Sequence, residues 1–197
     1  VREQGIEVFL ACRDHSIIKQ KAQENNIEVF TLTFKGNADI KTLFNLIKII
    51  NDNGINIVNT HSGKDTWVGG IAAKLANAKF IRTRHLSNPI NSSRLNFINE
   101  LADYIFTTGE IVRLDMIRNN RISPDRIKSI PTGIDINIYN PIRYDRKKCR
   151  DYYNFQDEQV VIGTVGVLRK FKRHDRFLLM VRHAIDQNPG KNIHILI

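Results

Sequence analysis

Short apolar runs alternate with amphipathic stretches along the first 130 residues of the chain. Runs rich in β-branched residues predict strands, and apolar residues recurring every three or four positions predict helices. The pattern predicts strands over residues 6–12, 27–32, 55–60, 79–84, 103–107 and 126–130, and helices over 16–25, 38–53, 64–77, 92–101 and 110–119. This strand–helix alternation is typical of an α/β domain with a doubly wound parallel sheet.

The alternation is interrupted and then starts again. Residues 130–141 are rich in turn-forming residues and have no clear period, which predicts a linker. Beyond it we expect a basic helix over 143–153, a strand over 160–167, a helix over 172–187 and a strand over 192–197. We therefore predict an N-terminal domain over residues 1–141, linker included, and the start of a second α/β domain over 142–197.

Composition narrows the class of protein. The chain has 197 residues, 42% of them hydrophobic, and a formal net charge of +10. These values exclude a disordered chain, and no apolar run reaches the roughly 18 residues that span a bilayer. The two cysteines, Cys12 and Cys149, are too far apart in sequence to suggest a disulfide framework, and a reducing cytosol is expected.

Several well-known motifs are absent from the sequence. It has no GxGxxG and no Walker loop, which disfavours dehydrogenases and P-loop enzymes. It also lacks the HExxH, Asp-x-Asp and GxSxG patterns of zinc peptidases, metal-chelating transferases and serine hydrolases. We expect neither a metal nor a cofactor.

A basic segment follows the predicted strand of the second domain. Arg169, Lys170, Lys172 and Arg173 lie where a strand gives way to a helix that we predict to begin at Lys172. The carboxyl ends of parallel strands are where ligands bind, and a helix N-terminus with nearby cations suits a phosphate or diphosphate. A solvated basic loop is the alternative interpretation, and the charges alone do not distinguish the two.

Two histidines come directly after predicted strands. His61 follows the strand over 55–60, and His85 follows the strand over 79–84. We predict that both lie at neighbouring carboxyl ends and open onto one crevice, where they could hydrogen-bond sugar hydroxyls or a phosphate. A structural role for each histidine is the alternative.

Five segments together carry a family resemblance. They are residues 59–73 (NTHSGKDTWVGGIAA), 81–87 (IRTRHLS), 102–110 (ADYIFTTGE), 130–135 (IPTGID) and 163–175 (GTVGVLRKFKRHD). In this order and spacing they resemble bacterial glycosyltransferases of family 4. The resemblance implies a GT-B fold of two Rossmann-like domains, a nucleotide-sugar donor, a retaining reaction and no metal. It places the acceptor on the N-terminal domain and the donor on the C-terminal domain.

The resemblance also implies roles for individual residues. Arg169 and Lys172 match the basic pair that neutralises the donor diphosphate, and His85 matches a histidine beside the transferred sugar, which makes it the candidate catalytic residue. One departure is Val167, where many members have arginine, and we expect Arg169 to serve instead. Further cleft or acceptor positions are His61, Ser62, Gly133 and Glu110.

The family pattern extends past both ends of this sequence. Its first strand and glycine-rich loop are expected before residue 1, and a glutamate pair eight positions apart after residue 197. We therefore expect a fragment that is inactive by itself.

The resemblance implies a cell-envelope glycan or a lipid-linked molecule as acceptor, as in lipopolysaccharide or polysaccharide biosynthesis. We expect a cytoplasmic enzyme with possible peripheral contact to an anionic membrane. Nucleic acid is not an expected partner, because the basic residues are scattered and not interleaved with aromatic ones. Two alternatives remain: a nucleotide-sugar epimerase of the same architecture, and a basic module that binds polyanions or membrane surfaces.

Overall fold

A computed structural model describes residues 4–85, 90 and 97–197 of the chain. The chain divides into two compact units, residues 1–133 and residues 134–197, and each is described by itself. The domain boundary predicted at 141/142 remains a prediction. Residues 86–89, which follow the strand predicted over 79–84, and the first part of the helix predicted over 92–101 lie outside the described residues.

The first unit alternates strands and helices. In chain order these are β1 (Phe9–Cys12), α1 (Ile17–Glu24), β2 (Glu28–Thr31), α2 (Ile40–Asp52), β3 (Ile57–Thr60), α3 (Gly63–Leu75), β4 (Lys79–Arg84), α4 (Ile98–Leu101), β5 (Tyr104–Thr107), α5 (Glu110–Asn120) and β6 (Ile127–Ser129). Every strand predicted for this unit is present, shorter by up to three residues at its ends. The predicted α/β alternation is confirmed.

All strand pairs of the first unit are parallel. β1 pairs with β2, and β3, β4, β5 and β6 form a four-stranded sheet in that order. The register aligns Thr60 with Arg82 and Arg84 with Thr107. Parallel pairing in sequential order brings the segments after β3, β4 and β5 to one edge of the sheet.

The core of this unit lies between the four-stranded sheet and its helices. Phe80 of β4, Ile98 of α4 and Ile105 of β5 are buried there. Helix α3 comes close to the sheet because it carries small residues: a Cβ atom on Gly70 would lie 2.5 Å from the Phe80 ring. This close packing fixes α3 over β4, and with it the loop that precedes α3.

The second unit contains α6 (Arg146–Tyr152), β7 (Val160–Gly163), α7 (His174–Gln187) and β8 (Ile193–Leu196). β7 and β8 pair in parallel. Single 3₁₀ turns occupy Pro141–Arg143 and Lys170–Lys172. The helix predicted from residue 143 begins instead at Arg146, since Asp145 caps it by accepting hydrogen bonds from the backbone N–H groups of Lys147 and Lys148.

Two further boundaries in the second unit correct the sequence prediction. The strand predicted over 160–167 ends at Gly163, because its ladder with β8 ends where Gly163 pairs with Leu196. The helix predicted to begin at Lys172 begins at His174. Arg173 has a φ of 54°, in the left-handed region, and this separates the 3₁₀ turn from α7.

Among the described residues, no helix combines the length and the apolar character needed to cross a bilayer.

Candidate functional site

The two predicted histidines meet at the edge of the four-stranded sheet. His61 follows β3 and His85 follows β4, and Nδ1 of His61 lies 2.9 Å from Nε2 of His85. The rings stack at an interplanar angle of 17°, and both residues are exposed. Their placement at neighbouring strand ends agrees with the prediction, whereas their binding role remains a prediction. Since one ring nitrogen must donate and the other accept, the contact requires at least one neutral ring.

The start of α3 holds His61 in place. Ser62 is the N-cap residue, and the carboxylate of Asp65 accepts hydrogen bonds from the backbone N–H groups of His61 (3.1 Å) and Ser62 (2.7 Å). This capping satisfies N–H groups that a helix start otherwise leaves unpaired. Ser62, predicted as a cleft residue, therefore has a structural role at the helix start beside His61.

The environment of His61 disfavours its charged form. Partial desolvation of the ring and then the charge of His85 lower the pKa of His61, and Asp65 opposes them more weakly. A neutral His61 can share a proton with His85 through the 2.9 Å contact. The pair can thus both accept and donate hydrogen bonds.

A pocket of about 300 Å³ lies beside α3 and β4 and contains charged side chains that are not among the predicted site residues. Arg82 is 8% exposed, and burial, followed by repulsion from Arg84, lowers its pKa to about 10. The sequence does contain one indication of this burial. Residues two apart on a strand share a face, so Arg82 and Arg84 lie on the face of β4 that also carries the core residue Phe80. The lining residues are Asn37, Gly63, Thr66, Trp67, Arg82, Arg84, Ile90 and Ile98.

Two other predicted residues have different surroundings. Glu110 is the first residue of α5, and its carboxylate pairs with Arg113 at 2.6 Å; the hydrogen bond from Arg113 lowers the pKa of Glu110. The start of α5 reaches the same sheet edge, because the Thr108 hydroxyl lies 3.5 Å from the backbone oxygen of His85. Gly133 is exposed, and a Cβ atom there would meet nothing within 4 Å. The cleft roles of Glu110 and Gly133 remain predictions.

A second pocket of the first unit has a volume of about 450 Å³. It lies where β1 and β2 end, another pair of adjacent carboxyl ends. Its lining residues are Arg13, Asp14, His15, Thr31, Leu32, Thr33 and Lys35.

The basic pair of the second unit lies on an exposed turn. Arg169 precedes the 3₁₀ turn and Lys172 ends it, and both side chains are exposed. The predicted geometry is wrong in one respect: the two residues do not bridge the end of β7 and the start of α7, because β7 ends at Gly163 and Arg173 interrupts the helix. Their role at a diphosphate remains a prediction.

The start of α7 already has a negative partner. Arg173 pairs with Asp175 at 2.9 Å, and the hydrogen bond from Arg173 lowers the pKa of Asp175 to about 2. A carboxylate in the first turn complements the positive end of the helix dipole. The N-terminus of α7 is therefore less suited to a bound anion than the sequence predicts.

Within the part of the chain that the structure describes, no three His, Cys, Asp or Glu side chains form a possible metal cluster. Metal independence nevertheless remains a prediction.

Solved structures with a similar fold come from several bacteria. A glycosyltransferase from Rickettsia africae aligns with a TM-score of 0.69 at 17% identity, over 94% of this chain and 59% of its own. Anabaena Alr3699/HepE, solved with UDP-glucose, gives 0.63 at 14% identity, over 95% of this chain and 60% of its own. Acinetobacter baumannii MurG aligns with a TM-score of 0.57 at 13% identity, over 100% of this chain and 58% of its own. These likenesses support the α/β fold.

The chain spans 58–60% of the length of these three structures. The comparison with curated proteins finds no match. The family model Glycosyltransferase Family 4 matches residues 1–138, which includes every element of the first unit. The chain belongs to Glycosyltransferase Family 4.

Proposed function

We propose that this chain is part of a retaining glycosyltransferase that moves a sugar from a nucleoside-diphosphate sugar to a cell-envelope glycan or a lipid-linked acceptor. The observation that carries the proposal is the family match over residues 1–138. The similar fold of Alr3699/HepE, which was solved with UDP and with UDP-glucose, supports a nucleotide sugar as donor.

Glycosyl transfer is accelerated by cations placed beside the leaving group. Glycosyl transfer passes through an oxocarbenium-like centre while the nucleoside diphosphate takes up negative charge. Preorganised donors aimed at that charge lower the barrier. In the proposed enzyme Arg169 and Lys172 supply them, as exposed cations on one short turn. Metal would then not be required.

His85 is proposed to bind a hydroxyl of the transferred sugar. Its ring is exposed at the sheet edge and is oriented by its contact with His61. A hydrogen bond from the imidazole would position the sugar without a proton transfer. This role follows from the family resemblance and from the exposed position of the ring.

The test compares three substitutions in the enzyme with both domains complete. Arg169→Ala and Lys172→Ala should each lower the transfer rate at saturating donor about 100-fold, as loss of one charge-stabilising donor does. Lys170→Ala, on the same turn, is the matched control and should cost no more than a few-fold. Equal small losses in all three variants would indicate a diffuse basic surface and refute the proposal.

A salt titration separates this proposal from a polyanion-binding module. Binding of UDP to a defined site should keep its preference over inorganic polyphosphate at high salt. Binding through a diffuse basic surface loses both affinity and preference as salt rises, because it depends on counterion release.

A further inference from the structure

The pocket beside α3 has one charged wall and one apolar wall. Arg82 and Arg84 project from β4, while Trp67 of α3, Ile90 and Ile98 contribute apolar surface. Trp67 is half-buried and packs edge-on against Phe97, with ring centroids 5.3 Å apart. A flat aromatic side chain next to guanidinium groups suits a ligand that has both an apolar face and an anionic group.

Arg82 is the observation that points to a ligand. Only 8% of the residue is exposed, and it lines the pocket. Burial of a charge is costly unless an opposite charge or hydrogen bonds offset it, and an anion bound in the pocket would do so for Arg82. The depressed pKa of about 10 agrees with such an environment.

Among the described residues that line the pocket, the charged ones are Arg82 and Arg84, and both are cations. Arg84 lies two residues along the same strand face, and the N-terminal turn of α3 begins at Gly63 on the pocket wall. Asp65 is the carboxylate that faces Arg82, but its oxygens already accept the N–H groups of His61 and Ser62. Asp115 of α5 acts on Arg84. An incoming oxyanion would be the group that completes the coordination of Arg82.

We infer that this pocket binds the carboxylate or phosphate of an acidic sugar, with the sugar ring against Trp67 and the oxyanion on Arg82. The geometry itself assigns anion binding. That the bound sugar is the acceptor rests on the proposed function.

The test uses Trp67 as the reporter, because it is the single tryptophan of the chain. Its fluorescence is titrated with inorganic phosphate, with glucuronate and with glucose, at constant ionic strength. We expect saturable changes with phosphate, glucuronate or both, and none with glucose. A response to phosphate alone identifies a phosphate ligand, and a response to glucuronate alone identifies a carboxylate. No saturable response to either anion overturns the inference, as does an equal response to glucose.

Two variants test whether anion binding depends on Arg82 or on the net charge of the chain. Arg82→Gln should weaken anion binding at least tenfold, whereas Arg118→Gln, an exposed arginine of α5, removes the same charge and should leave binding unchanged. Equal weakening in both variants would show a general charge effect and overturn the inference.

If Arg82→Gln does not fold, thermal unfolding of the unmodified chain and of a second variant, Arg82→Met, provides the test. Ten times the dissociation constant of phosphate or glucuronate should raise the Tm of the unmodified chain by about 4 °C. Arg82→Met, which replaces the charge with an apolar side chain of similar length, should have an equal or higher Tm without anion and should not respond to it. An Arg82→Met variant that still responds overturns the inference.

These outcomes are independent of the donor site. Failure of the anion test would leave the transfer kinetics of Arg169→Ala and Lys172→Ala unchanged, so the two proposals can fail separately.

Discussion

The two units of the chain hold their polar side chains in different ways. In the first unit Arg82 extends from the central strand β4 and is 8% exposed, beside a core that includes Phe80 and Ile105. In the second unit Arg169 lies on an exposed turn, and among the described residues of that unit Val181 is the only buried apolar side chain. Packing therefore positions the candidate groups of the first unit, whereas local backbone geometry positions those of the second.

This difference separates the two kinds of evidence for function. The His61–His85 contact joins residues from adjacent strands, so it depends on the register between β3 and β4. The Arg173–Asp175 pair joins residues two apart and depends only on the turn before α7. Substitutions in the packing of the first unit should therefore affect its site, while substitutions in the second unit should have local effects.

The largest effect is expected at Gly70. Gly70→Ala would place its Cβ 2.5 Å from the fully buried Phe80 ring, so the core around Phe80 would have to shift. Overpacking of this kind, after allowance for the better helix propensity of alanine, should lower the free energy of unfolding by about 2 kcal/mol. Chemical denaturation measures it. Gly190→Ala, where nothing lies within 4 Å, is the control, and an equal loss in both would contradict the packing described for α3.

The capping carboxylate of α3 should have the next largest effect. Asp65→Ala removes the acceptor for two backbone N–H groups and should lower the free energy of unfolding by about 1 kcal/mol. Because one of those groups belongs to His61, the variant should also alter the imidazole NMR signals of both His61 and His85. Asp52→Ala, at an exposed site, is the control. Unchanged imidazole signals in Asp65→Ala would refute the link between the cap and the histidine pair.

The matching cap of the second unit should matter less. Asp145 accepts from the backbone N–H groups of Lys147 and Lys148 at the start of α6, a helix of seven residues without buried side chains. Asp145→Ala should destabilise this helix by about 0.5 kcal/mol, at the lower end for caps. Amide hydrogen exchange should accelerate in α6 while α3 stays unchanged. Faster exchange in α3 would contradict independent behaviour of the two caps.

The smallest effect is a pH dependence from His61. Its pKa is lowered in the folded chain, so below the unfolded value of about 6.5 the unfolded chain binds a proton that the folded chain resists. Stability is therefore retained above pH 6.5 and decreases as pH falls below it. Denaturation at pH 7.5 and pH 5.5 should show a smaller difference for His61→Asn than for the unmodified chain. His183→Asn is the control, and an unchanged difference in His61→Asn would contradict this source of pH dependence.

The sequence predicted the strands of the first unit well and those of the second less well, for a physical reason. In the first unit the apolar pattern coincides with strands paired on the four-stranded sheet, so β4 was predicted with its observed bounds. In the second unit the apolar run continues to residue 167, whereas the pairing of β7 with β8 ends at Gly163. Helix α7 begins two residues later than predicted because Arg173 adopts a left-handed conformation. Non-glycine residues rarely adopt this conformation, so the sequence does not indicate it.

The sequence by itself determined the α/β alternation, the family motifs and the positions of His61 and His85 after consecutive strands, because these depend on local periods and on the direction of parallel strands. Only the tertiary structure decided that the two rings meet and that Arg82 is buried beside Trp67. Contacts between residues distant in sequence depend on strand register and on how closely α3 approaches β4. Arg82 and an exposed arginine look the same in sequence, since charge is a property of the residue and burial is a property of its neighbours.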